Sequence, residues 1–226
     1  MRPLILLHGW PHTWQVWSLV IPLLTGRRQV IAPDLRGGDA AAGAADILRL
    51  LDERGIESAD VAAIDAGVPI AFLLGTGHPG RVRRLTLMEG TLPGLPGGFA
   101  QPPWWFGFHA VPGLAETVVE GHEGEYLDFF LSGVPRDIRD AFVRAHTGRD
   151  ALRRSFGFYR DDGAAIRAAG RLTVPTLALG GSVVGDLLHQ QLKPVADDLT
   201  GEIIEGSGHL IPLDRPDAVA ERLLLR

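Results

Sequence analysis

Short apolar runs alternate along this chain with longer amphipathic stretches, and the alternation sets out a succession of strands and helices. Residues 4–7 form a continuous apolar run that reads as a buried strand. Residues 14–24 follow as a predicted helix, with Thr13 as its N-cap. A strand is expected at 29–32. A helix is expected over 40–54, where Ile47, Leu48, Leu50 and Leu51 make an apolar stripe and Gly55 a stop. Residues 60–64 read as a strand, 68–74 as a helix and 85–88 as a strand. The order resumes late in the chain with a strand at 176–179 and a helix around 186–196. A strand at 202–204 and a terminal helix over 216–225 complete it. Largely apolar strands alternating with helices imply an α/β protein with a mostly parallel sheet flanked by helices on both faces.

The stretch between the strand ending at Glu89 and residue 172 breaks this rhythm. It opens with Leu92-Pro93-Gly94-Leu95-Pro96-Gly97-Gly98, passes through Trp104-Trp105-Phe106-Gly107-Phe108, and continues as helical segments over 114–119, 125–131 and 136–145. The chain therefore divides into a core, 1–89 with 173–226, and a helical insertion, 90–172. An insertion between two parallel strands lies over the carboxyl edge of the sheet, where ligands bind. Its aromatic cluster reads either as the insertion's own core or as the roof of an apolar pocket.

Composition narrows the picture. The 226 residues suit one α/β domain with an insertion, and 46% hydrophobic with 22% charged residues is ordinary for a soluble globular chain. A formal net charge of −5 argues against a nucleic-acid or anionic-membrane partner. Cysteine is absent, which excludes disulfides, thiolate chemistry and cysteine-based metal sites. The apolar stretch at 3–7 is too short for a signal-peptide core or a membrane span, so a cytoplasmic protein is expected.

Chemistry enters at Ala63-Ile64-Asp65-Ala66-Gly67, where a strand gives way to a helix. Small residues on either side of a central nucleophile permit the sharp turn that holds one side chain up at the sheet's edge. Here that side chain is a carboxylate. A serine attacking an sp³ carbon would end as an ether, which water does not cleave, whereas an aspartate ends as a hydrolysable ester. With a reference pKa of ~3.9 it is ionised at neutral pH and attacks without a base. The plain alternative is that Asp65 only caps the following helix.

Other loops that gather at the same edge carry polar residues. His209, in Gly206-Ser207-Gly208-His209 after the last predicted strand, is the candidate base. Glu89 and Asp186 each follow a strand, and either would orient the imidazole. His8-Gly9-Trp10-Pro11 follows the first strand, so the backbone N–H of Trp10, with that of Ala66, is the candidate oxyanion hole.

These motifs, with Ala32-Pro33-Asp34-Leu35-Arg36-Gly37, resemble the α/β-hydrolase fold in its epoxide hydrolase and dehalogenase branch, over essentially the whole chain. Met88-Glu89-Gly90 followed by Leu92-Pro93-Gly94 is similar to bacterial epoxide hydrolase-like members whose relay acid follows the sixth strand, which favours Glu89 over Asp186. Phe156-Gly157-Phe158-Tyr159-Arg160 resembles the lid segment whose tyrosine activates the epoxide oxygen, a role that falls by position on Tyr159.

Four departures stand out. The sequence opens on the strand before His8, without the antiparallel strands that lead the fold. Gly38-Asp39-Ala40 replaces the usual Gly-x-Ser. Trp105 occupies the place where many relatives carry a second oxygen- or halide-binding group. Ala66 stands where haloalkane dehalogenases hold halide with tryptophan.

The resemblance implies that Asp65 attacks an epoxide carbon while Tyr159, with Trp105, donates to the opening oxygen. Water then attacks the ester, with His209 as base and Glu89 steadying it. Pro11, Trp105 and Phe106 are the expected substrate-binding residues for a small apolar organic molecule. No metal or organic cofactor is called for, and a homodimer is left open. The alternatives are a haloacid or fluoroacetate-type dehalogenase using the same triad, an esterase, disfavoured by the lack of Ser or Cys at the elbow, and a non-catalytic or repurposed scaffold.

Overall fold

The computed structural model describes residues 3–225; positions 1, 2 and 226 of the expected core lie outside the described residues. Six strands form one sheet: β1 (Pro3–Leu7), β2 (Gln29–Ile31), β3 (Ala59–Ile64), β4 (Val82–Met88), β5 (Thr176–Gly180) and β6 (Leu199–Ile203). Their order is β2-β1-β3-β4-β5-β6, and every neighbouring pair is parallel. Because β2 lies on one side of β1 and β3 on the other, the loops leaving β1 and β3 part at the carboxyl edge and open a crevice there.

The helices are α1 (Ile21–Leu24), α2 (Ala40–Glu53), α3 (Gly67–Gly77), α4 (Trp104–Ala110), α5 (Leu114–Val119), α6 (Glu123–Asp128), α7 (Arg136–Ala145), α8 (Arg149–Phe156), α9 (Ala164–Ala168), α10 (Leu187–Leu192), α11 (Ile211–Asp214) and α12 (Pro216–Leu224). None among the described residues is long and apolar enough to cross a membrane.

Successive side chains of a strand point to opposite faces, and in the central strands both faces are buried. Ile5, Leu7, Val61 and Ala63 join one apolar cluster with α2, α3 and α10. Leu4, Leu6, Ala62 and Ile64 join the other with α1, α11 and α12. That second cluster runs on without a break into the insertion, through Trp10 to Ala115, Leu127, Phe142, Leu152 and Phe156. Each fully buried Leu or Phe is worth about 1.5–3 kcal/mol of burial, so the insertion is anchored to the sheet by a shared core.

Several expectations on element bounds change. Residues 14–24 are not one helix but a single 3₁₀ turn, Trp14–Trp17, and the four-residue α1. Pro22 brings no N–H to a helix interior, so it sits in the first turn of α1. Thr13 stands at the N-cap position of the 3₁₀ turn, but its side chain makes no capping hydrogen bond: its hydroxyl donates to Gln15 Oε1, and the Trp14 N–H goes to Asp34 Oδ1 at 2.8 Å. The helix expected around 186–196 is only α10, and the helical insertion contains four segments not anticipated: α4, α8, α9 and a 3₁₀ turn, Gly157–Arg160.

Candidate active site

β3 delivers Asp65 to the crevice in a strained turn. Asp65 has φ of 53°, and the one other non-glycine residue with positive φ among the described residues is Glu89, at 42°. A left-handed conformation at such residues costs of order 1–3 kcal/mol and persists where surrounding bonds impose it. Here the Asp65 N–H donates to Met88 O at 3.0 Å, the Val68 N–H to Asp65 O at 2.9 Å, and the Glu89 N–H to Leu179 O at 3.2 Å. Two glycines make room for the elbow. A Cβ on Gly9 would collide with the Asp65 side chain, and one on Gly67 would lie 2.6 Å from His8 O.

His209 sits between the two carboxylates. Its Nε2 lies 3.3 Å from Asp65 Oδ2 and its Nδ1 3.2 Å from Glu89 Oε2. Glu89, 1% exposed, is further held by the N–H of Gly181 at 2.5 Å to Oε1 and that of Val184 at 3.1 Å to both oxygens. The rival Asp186 is exposed and accepts from Gln190 Nε2 at 2.8 Å. Both follow a strand, but only Glu89 turns inward.

Burial alone would push the His209 imidazole down, yet its hydrogen bonds to Asp65 and Glu89, and their charges, outweigh that and raise its pKa to about 10. Burial would likewise raise the Asp65 carboxyl. The His209 hydrogen bond and charge, with the Trp10 N–H, hold it below its usual range instead. The resting site is therefore an imidazolium clasped by two carboxylates.

The loop after β1 supplies the predicted donor: the Trp10 N–H reaches Asp65 Oδ1 at 2.8 Å. The Ala66 N–H makes no hydrogen bond among the described residues. His8 ties this loop down, accepting from the Leu35 N–H at Nε2 (2.8 Å) and donating from Nδ1 to Gly9 O (2.8 Å).

The insertion faces this edge across a cavity of about 400 Å³. Asp65, Glu89, His209, Trp10 and Pro11 line it from the sheet, and Trp105, Phe106, Phe130 and Tyr159 from the insertion. A smaller recess of about 150 Å³, lined by Ala66, Pro69, Phe158 and Asp161, shares Asp65, Phe106 and Tyr159 with it. The Tyr159 ring packs on Phe106, Trp10 and His109, with centroids 5.2, 5.4 and 4.5 Å away. Its hydroxyl has no hydrogen-bond partner among the described residues. Burial first, and then the Asp65 charge, raise its pKa well above the normal tyrosine value, so it remains a proton donor. Trp105 and Phe106 turn to the cavity, while Trp104 of the same cluster is 56% exposed.

Two supports of the insertion had no counterpart in the sequence reading. Trp10 Nε1 donates to Ser155 Oγ at 2.7 Å, joining the loop after β1 to α8. Arg160 pairs at 2.8 Å with Glu116, itself 2% exposed, beneath the turn that carries Tyr159. No sequence signal marked either, since each joins residues far apart in the chain. A third residue, His12, lines the cavity beside His209.

A parallel sheet with a carboxylate elbow on its central strand, a histidine after the last strand and a helical insertion above defines an α/β hydrolase. The chain matches the alpha/beta hydrolase family over residues 4–222 and belongs to it. It is 30% identical to the soluble epoxide hydrolase of Corynebacterium sp. (strain C12), in an alignment covering 98% of this chain and 88% of that one. Among solved structures, Cfl2 from Burkholderia cenocepacia superposes with a TM-score of 0.89 at 34% identity, covering 98% of this chain and 86% of the other. The epoxide hydrolase CorEH superposes with a TM-score of 0.90 at 28% identity, covering 99% and 90%.

Proposed function

We propose that this protein hydrolyses epoxides to diols through a covalent ester on Asp65. The observation that carries this reading is the placing of His209 between Asp65 and Glu89, below a free Tyr159 hydroxyl in one apolar cavity. The relatives named as epoxide hydrolases support it.

Asp65 Oδ2 attacks one ring carbon while Oδ1 stays on the Trp10 N–H. The C–O bond on that carbon breaks, and the oxygen gains charge as the Tyr159 hydroxyl donates to it. Esterification neutralises Asp65 and so removes one of the two carboxylates that hold the His209 proton. The proton that His209 then releases balances the one the new alkoxide needs, leaving a neutral imidazole. Water adds to the ester carbonyl, His209 takes its proton, Glu89 stabilises the imidazolium, and the oxyanion sits on the Trp10 N–H, with that of Ala66 as the second donor. Collapse of the adduct returns the second water proton to the departing oxygen, releasing the diol and the original carboxylate.

The dehalogenase alternative needs an anionic haloacid to be bound. Among the residues that line the large cavity there is no arginine or lysine, and Arg160, which follows Tyr159 in the chain, is committed to Glu116. The His209 imidazolium is already shared by Asp65 and Glu89, and burying a third carboxylate without a further cation is costly, so the cavity favours a neutral, small apolar substrate. Under this reading residues 90–172 act as a lid on the core.

The test is intact-protein mass spectrometry of His209→Gln with a panel of epoxides and haloacids. The variant should gain the mass of one epoxide, localised to Asp65, and retain it because general-base assistance worth about 10²–10⁴-fold is gone. Halide release without an epoxide adduct would install the dehalogenase reading instead.

A further inference from the structure

His12 is a buried histidine that the steps above do not use. It follows Pro11 in the loop that leaves β1, is 2% exposed, and lines the large cavity together with Asp65, Glu89 and His209. Its backbone N–H is bonded to Gly9 O at 3.1 Å, so the same loop that presents the Trp10 N–H to Asp65 also fixes the base of this ring. One face packs on Phe142, with ring centroids 5.5 Å apart, and the His209 ring lies 5.9 Å away. Nδ1 is fully enclosed without a partner, and Nε2 makes no hydrogen bond to the protein among the described residues.

The enclosed Nδ1 leaves no room for a water, so the open acceptor is Nε2, and a ring nitrogen without a partner at the cavity calls for a ligand or an ordered water. We propose that His12 positions the hydrolytic water, accepting one of its O–H bonds while His209 takes the proton of the other. Two ring nitrogens, each about 2.8 Å from one oxygen in a bent arrangement, suit rings at this separation. The role requires an uncharged imidazole, since a protonated His12 would offer the water no acceptor. Burial, aided by the neighbouring His209, His8 and His146, outweighs the pull of Asp65 and pushes His12 down to about 3, so it is neutral in the working range. The group acts only after Asp65 is alkylated, because ring opening uses no water.

This inference rests on the ester mechanism proposed above, and the experiment separates the two. Rapid-quench single turnovers with styrene oxide as the probe resolve formation of the Asp65 ester from its decay. His12→Phe keeps a ring against Phe142 and removes both nitrogens, whereas His12→Gln restores an acceptor and a donor. Ester formation in His12→Phe should stay within about twofold of the unmodified protein while decay slows by about tenfold or more, at the low end of what a positioned proton-transfer partner contributes. His12→Gln should recover most of that loss.

Equal slowing of both steps in His12→Phe, or decay at the original rate, overturns the role of His12 and leaves the ester mechanism standing. So does His12→Gln decaying as slowly as His12→Phe, which would assign the effect to packing. Should the unmodified protein form no Asp65 ester with any epoxide, the ester mechanism falls and this inference with it. If His12→Phe does not fold, the ratio of decay rates between His12→Gln and His12→Leu decides the same question.

Discussion

The two walls of the cavity are built on different terms. On the sheet side the charged groups already have their partners: Asp65 is held by Trp10 and His209, and Glu89 by Gly181, Val184 and His209. On the insertion side, Tyr159 and Trp105 present donors with no protein partner among the described residues, and they are held in place by aromatic contacts. The sheet side carries its charge at rest and must stabilise it continuously. Under the proposed mechanism the insertion side meets charge only while the C–O bond breaks, so its donors are free to be satisfied in the transition state. Backbone strain follows the same division, for Asp65 and Glu89 are both in the left-handed region and Tyr159 is not.

The most severe way to break the sheet side is through its fully buried carboxylate. Glu89→Gln replaces an acceptor facing two N–H groups and an imidazole with an amide that can satisfy only part of that set. Loss of the orienting carboxylate in a comparable triad lowers turnover by about 10⁴-fold, and a loss of about 10³–10⁴-fold in ester hydrolysis is expected here. Asp186→Asn, which alters an exposed helix cap, should leave both half-reactions near the original rate. Pre-steady-state kinetics with one epoxide checks both variants together. A large loss from Asp186→Asn with little from Glu89→Gln would mean that the relay runs through a different conformation of the loop after β5.

These assignments were legible in the sequence to different depths. The elbow at Asp65 and the loop at His8–Pro11 were readable because each is a short local pattern at the end of an apolar run. The residues alone did not separate Glu89 from Asp186, since both follow predicted strands. What separates them is the left-handed turn at Glu89 and the burial that follows from it. The helix expected over 14–24 failed at Pro22, where an apolar pattern outlasted the backbone hydrogen bonding able to support it. The supports of the insertion were beyond local reading altogether. Trp10 and Ser155 are 145 residues apart, and Arg160 and Glu116 are 44 apart, so neither pairing leaves a periodicity or a motif in the chain.

A milder break falls on the insertion side. Tyr159→Phe keeps the ring that packs on Phe106 and Trp10 and removes only the hydroxyl. Ester formation should slow by about 10²–10³-fold, within the range for general-acid assistance, and decay of a preformed ester should change little. Stopped-flow tryptophan fluorescence would separate the two phases, because Trp10 and Trp105 line the cavity. Equal losses in both phases would show that the hydroxyl organises the sheet side as well, and the division between the walls would not hold.

Trp105→Phe is the finest probe of the comparison, and its effect should be the smallest. The indole N–H is a donor only, so it can stabilise a developing alkoxide but cannot carry a proton to it. Phe at this position retains the edge-on contact with Phe130, whose centroid is 5.3 Å away, and removes the donor alone. A neutral hydrogen bond is worth about 0.5–1.5 kcal/mol net, which corresponds to a loss of roughly two- to tenfold in ester formation and none in hydrolysis. A double variant with Tyr159→Phe sharpens this further. If both donors serve the same oxygen, the combined loss should depart from the product of the separate losses, because each then compensates in part for the other's absence. Strict multiplicativity would place Trp105 against another part of the substrate, leaving Tyr159 as the sole insertion-side group acting on the breaking bond.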